Sequence, residues 1–236
     1  MTDERLAIYC ELLEEPRWLA DYQALSLVLI GRRELDEWLG RGYFATLVAG
    51  ALGPRDVEGG GYARAAAPLA RLLAAEPLYT DASGIPLERT VAQLLPSASY
   101  QPPYAPLDVK QMLERFTRLA AAGAGGNAAA GAGGGTADQI RATLLTDPAS
   151  GASVTGGIAV AVRQATALWH AAALIDLTSS YGWIIKRAPI QTYDSAMVFA
   201  SIGAPATGIP GPYYGNWTYP PPEVVVAPDQ LVRGRK

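Results

Sequence analysis

Along the first 120 residues, apolar positions recur at helical spacing and are punctuated by proline and glycine. Leu6, Tyr9, Cys10 and Leu13 share one face of a first helix, and Pro16 opens a second, because the first turn of a helix has no use for the amide donor that proline lacks. Trp18, Leu19, Tyr22, Leu25 and Leu29 carry that second helix to Gly31. A third is expected from about Glu34, through Leu35, Trp38 and Leu39 and past Gly40 and Gly42 to Leu52, with "GPRDVEGGG" as the loop after it. Tyr62 to Ala75 is alanine-rich and helical by propensity, with Pro68 expected to kink it or delay its start. Pro86 to Leu95 reads as a short helix, whereas the prolines of "PSASYQPPYAP" impose an extended path. Asp108 is expected to cap the next helix, on which Val109, Met112, Leu113, Phe116 and Leu119 fall on one face.

Beyond residue 122 the pattern changes. "GAGGNAAAGAGGGT", Gly123 to Thr136, has no apolar period at all. Thr136 with Gln139 then matches a capping box ahead of Ile140, Leu144 and Leu145. A longer helix is expected from Gly157 to Leu177, with Ala161, Ala165, Leu168, Trp169, Ala172 and Ile175 on its apolar side and only Arg163, Thr166 and His170 on a polar stripe. So thin a stripe predicts burial on most sides. "YGWIIKR" and "EVVVA" read as strands, and "YDSAMVFASIG" fits either period. From Gly203 to Pro222 the chain is proline, glycine and tyrosine, which excludes regular helix and central sheet. The expected fold is therefore mainly α: a multi-helix domain with a charge-poor C-terminal region, short strands and an extended Pro/Tyr-rich tail. Its expected organisation is a helical domain (1–122), a Gly/Ala connector (123–135), a helical region packed on the first (136–202) and an extended arm (203–236).

Composition narrows the function. Half of the 236 residues are hydrophobic, which excludes wholesale disorder. The net charge of −3 gives no support to a strongly basic nucleic-acid binder. Charge is also unevenly spread: residues 1–120 carry 16 acids and 12 bases, residues 121–236 only 6 and 7. The opening "MTDERLAIYCELLEEP" has acids where a secretion signal has a basic start, so none is expected. No apolar window reaches the ~20 residues of a membrane span, so none of those is expected either.

Candidate chemistry is sparse. In the glycine-rich segment Gly126 and Gly131 have P-loop separation, but Ala132 and Gly133 stand where lysine and Ser/Thr would contact phosphates and magnesium. Gly123 and Gly125 would need a third glycine at Ala128 to make a dinucleotide fingerprint. The segment is read as a connector. One cysteine, Cys10, excludes an internal disulfide and a cysteine-based zinc site, and it is expected to be a small core residue. The single histidine, His170, is expected to be hydrogen-bonded and structural. No catalytic residue, metal site or cofactor is assigned. Glu14, Glu15, Glu34, Asp36 and Glu37 read as solvated helix faces beside Arg17, Arg32 and Arg33. There are 16 arginines but three lysines, Lys110, Lys186 and Lys236. Arg233, Arg235 and Lys236 form the acid-free cluster at which nucleic-acid contact is expected, if anywhere.

A charge-starved half rich in rings needs another surface to cover it. Tyr213, Tyr214, Trp217 and Tyr219 lie in a proline-stiffened stretch, and Tyr and Trp are the residues enriched at interface centres. The expected function is a non-enzymatic, self-assembling structural subunit, such as a viral coat or nucleocapsid protein, whose partners are copies of itself or other structural proteins, in a virion or the cytoplasm. The alternatives are an enzyme using His170, Asp176 and Asp194, and a helical adaptor that binds a partner through its tail.

Overall fold

The computed structural model describes residues 2–80, 84–124, 140, 142–146, 156–178 and 184–189. Its elements run α1 (Thr2–Glu14), α2 (Pro16–Ile30), α3 (Glu37–Ala49), α4 (Gly61–Ala74), α5 (Leu87–Leu94), α6 (Pro106–Ala124), α7 (Gly157–Ala171), β1 (Ala173–Ile175) and β2 (Ile184–Arg187). The protein is mainly helical, as its sequence pattern predicts.

A helix apolar on every side has to be packed on every side, and α3 is that helix. From Leu39 to Ala49 only Arg41 escapes full burial, and α3 touches α1, α2, α4, α5, α6, α7 and β1. Its buried Thr46 hydroxyl donates to the Gly42 carbonyl one turn back (2.7 Å). α3 begins at Glu37 and not near Glu34, because Asp36 takes an extended conformation as its N-cap and its carbonyl accepts the first helical bond, from the Gly40 amide (2.9 Å). Its C-terminal carbonyls are claimed by the proline-rich segment before α6: Tyr104 donates to the Leu47 carbonyl (2.8 Å) and Tyr100 to that of Gly50 (2.6 Å). Burial pushes both phenol pKa values up.

The flanking helices follow their amphipathic spacing. α4 buries Ala65, Pro68, Leu69, Leu72 and Leu73, and α6 buries Val109, Met112, Leu113 and Phe116. α2 ends as predicted at Gly31, whose φ of 71° is the left-handed conformation that glycine adopts without penalty. Asp108 is a correction: it is the third helical residue of α6, and its Oδ2 accepts from the Ala105 backbone amide (2.7 Å), so it closes the cap from inside the helix.

Pro68 sits inside α4 without ending it. A proline there withdraws the donor that the Arg64 carbonyl would use and crowds the turn before it. The exposed carbonyls are taken by α1: the Cys10 thiol donates to Arg64 O (3.9 Å) and the Tyr9 hydroxyl to Ala65 O (2.9 Å). Cys10 thus packs against the core, and burial with the nearby Glu14 carboxylate pushes its thiol pKa up.

The second correction concerns the helix expected over 157–177. α7 stops at Ala171, Ala172 turns left-handed (φ 47°), and residues 173–175 form β1, paired antiparallel with β2. Two contacts favour that exit over continued helix. Leu174 packs so tightly on α3 that a Cβ at Gly50 would lie 2.3 Å from its Cδ1. The buried Gln164 amide clamps Ile175 at both backbone groups, donating to its carbonyl (2.5 Å) and accepting from its amide (2.9 Å). Gln164→Leu would strand both groups, each costing about 1–3 kcal/mol when buried without a partner. The expected outcome is a urea midpoint lowered in proportion, with the m-value unchanged.

Candidate functional site

The residues singled out by sequence are placed unequally. Tyr213, Tyr214, Trp217, Tyr219, Arg233, Arg235 and Lys236 lie outside the described residues, as do Asp194, "YDSAMVFASIG", "EVVVA", most of the glycine-rich segment and its predicted capping box. The strand expected in "YGWIIKR" is β2. His170 is exposed in the last turn of α7, and the expected Arg163–Thr166–His170 stripe is the face that α7 turns away from the core. Asp176 follows β1, and its Oδ1 accepts from the amide (2.8 Å) and hydroxyl (2.6 Å) of Thr178, a local turn.

Most of the described ions serve packing. Arg5 meets Asp56 (3.2 Å) and the Ala51 carbonyl (2.7 Å), tying α1 to the turn after α3. Lys110 pairs with Glu11 (2.7 Å) beneath the Trp18 ring, which Arg17 covers at 4.2 Å. Arg64 pairs with Asp3, and Arg71 with Glu14. Among the described residues no three metal-ligating side chains gather, and no helix is long and apolar enough to cross a membrane.

Lys186 is different. On β2 the exposed residues are Ile184 and Arg187, whereas Lys186, paired with Leu174 beside a register irregularity in β1, is buried. Only 8% of its surface remains exposed. Its ammonium donates to the Leu94 carbonyl (2.6 Å) at the end of α5 and stands 4.5 Å from the centre of the Tyr100 ring. It lines a cleft of about 420 Å³ between the end of α5, the segment that follows it, and β2. Ser97, Gln93 and Arg187 supply the other polar side chains of that cleft, and Pro96, Leu95, Ile185 and Tyr100 its apolar wall. None of the described lining residues is acidic.

No family model, curated protein or solved structure matches the chain. The site is therefore read from its own geometry.

Burial pushes the Lys186 pKa down, from 10.5 to about 8. The unfolded chain then holds a proton that the folded chain has lost, so between about pH 8 and the unfolded value stability rises with pH, and below pH 8 the full cost of the buried charge is present. Relative to Lys186→Met, the wild type should gain about 2 kcal/mol between pH 7 and 9.5. Unfolding in urea at each pH checks it, and a difference that stays constant would contradict the assignment.

Sequence reading passed over Lys186, naming it only among three lysines. The available signal was a charged residue following two isoleucines in a short strand flanked by Ala188 and Pro189. Its partners, Leu94 and Tyr100, are remote in sequence and carry no mark of the contact.

Proposed function

We propose that the chain is a non-enzymatic structural subunit that assembles with copies of itself, as a coat, nucleocapsid or similar shell or filament component. One observation carries this reading. The described core runs from Leu6 to Ala188, and residues 190–236 hold Tyr193, Phe199, Tyr213, Tyr214, Trp217 and Tyr219 beside only six charged groups. The globule offers little to cover those rings: among the described residues the exposed large apolar side chains are Tyr62, Leu107, Leu177 and Ile184. Leu177 lies just beyond the β1 end of the hairpin, and Ile184 pairs with Ile175 at that same end.

Aromatic rings on a proline-stiffened segment lose little entropy on docking and gain large contact area, which suits an arm laid on a neighbouring copy. Tyr213, Tyr214, Trp217 and Tyr219 would form its centre, with Arg233, Arg235 and Lys236 free to meet an acidic neighbour or packaged nucleic acid. The reading places the protein in a virion or the cytoplasm. Particle mass with and without residues 205–236 tests it.

A further inference from the structure

We propose that the Lys186 cleft is a binding site for a small organic anion, whose phosphate or carboxylate meets the Lys186 ammonium and whose apolar body lies against Tyr100 and Pro96. The inference is independent of the assembly reading. It starts from a charge imbalance. A buried ammonium is costly unless an opposite charge neutralises it. Three half-buried cations have such partners, Arg5 with Asp56, Lys110 with Glu11 and Arg41 with Glu76 (3.6 Å), and the half-buried Arg115 instead donates to the carbonyls of Thr143 and Thr146; Lys186 is more deeply buried than any of them. Among the described residues Lys186 has a carbonyl and an aromatic face instead, and its pKa is displaced by burial alone.

Capping the end of α5 accounts for part of the arrangement. A helix C-terminus presents about half a negative charge, and α5 is short, so the carbonyl of Leu94 leaves the larger share of the ammonium charge unbalanced. Lys186 also has two further donors beyond the one spent on Leu94. These line an open cleft of about 420 Å³, within the size range of small-molecule sites. Arg187 adds a second cation at the rim, Ser97 and Gln93 add hydrogen-bonding groups, and the ring of Tyr100 supplies a flat apolar wall. A buried ammonium, two neutral polar groups, an aromatic wall and no acid among the described lining residues favour an anion with an apolar body over a cation or a neutral sugar.

Among the described residues the titratable and charged groups facing the site are Tyr100, Lys186 and Arg187. Burial holds the Tyr100 phenol neutral far above neutral pH, and arginine does not titrate, so of these described groups Lys186 sets the pH dependence. The test uses the full chain with phenyl phosphate and, separately, inorganic phosphate. A phosphate monoester completes its second ionisation near pH 6, so phenyl phosphate stays a dianion throughout the alkaline range of the test. Phenyl phosphate affinity, measured by calorimetry, should fall about tenfold per pH unit once the pH exceeds the Lys186 value. Trace acetylation at pH 8 should be suppressed at Lys186 by phenyl phosphate while Lys110 and Lys236 react as before; with three lysines in the chain, peptide masses separate them.

Lys186→Met should abolish calorimetric binding with its helical signal intact. If that variant does not fold, the wild-type pH profile and protection pattern decide. Affinity flat from pH 7.5 to 9.5, equal protection of all three lysines, or inorganic phosphate binding as tightly as phenyl phosphate would each overturn the proposal. So would protection of Lys186 in ligand-free protein that vanishes when residues 205–236 are removed, since the cleft would then belong to a neighbouring copy.

Discussion

Removal of residues 205–236 is expected to leave a helical, cooperatively melting protein that no longer assembles. The described core residues all lie at or before Ala188, and the truncation leaves every one of them in place. Its stability should stay within about 1 kcal/mol of the full chain under conditions that hold both as monomers, because losses larger than that come from cavities, stranded polar groups or broken networks. What disappears is the set of rings Tyr213, Tyr214, Trp217 and Tyr219. Interface energy concentrates in such residues, with a few anchors each worth 2 kcal/mol or more, on the order of a thousandfold in affinity for the set. Sedimentation velocity separates the outcomes. Truncated and full-length proteins of equal particle mass would end the role of the arm.

Trp169→Ala is expected to be the most damaging single substitution in the described fold. The indole is buried near the C-terminal end of α7, meets the Tyr43 ring edge-on at 4.9 Å between centroids, and reaches the backbone of α3 beside Gly40. Deleting a buried tryptophan costs about 3–5 kcal/mol, from lost transfer energy and the cavity left behind, and loss of the edge-to-face pair adds about 1 kcal/mol. Typical domains have only about 5–15 kcal/mol to lose. α7 joins the globule only after the glycine-rich segment, so the substitution also tests whether that second half belongs to one cooperative unit. The expected result is a single transition displaced to lower urea, with loss of the hairpin at the same midpoint. A cost below about 1 kcal/mol, or a hairpin that melts separately, would show that α7 is loosely attached.

The parts of the fold written in local pattern were legible. Pro16 and Gly31 bracket α2 because one forbids and the other favours a backbone geometry wherever it stands. The helix through Trp38 and Leu39 and past Gly42 was legible for the same local reason, although it ends at Ala49 and not at the expected Leu52. Illegible were features decided between segments. Pro68 is tolerated because Tyr9 and Cys10, some 55 residues earlier, take the carbonyls it exposes. Ala172 to Ile175 keeps helical spacing in the sequence but leaves the helix, since Gln164 and the strand partner at Ala188 offer its backbone a better set of bonds. The Lys186 cleft depends on Leu94, 92 residues away. A lysine after two isoleucines signals an inward turn only once the strand and its neighbours are known.

The mass of the purified full-length particle, determined by sedimentation equilibrium together with its absorbance at nucleic-acid and protein wavelengths, tests the central claim most directly. The account predicts a defined multiple of the 24.8 kDa chain mass. A particle of one chain, with Tyr213, Tyr214, Trp217 and Tyr219 shielded from solvent quenchers in that lone molecule, would contradict it.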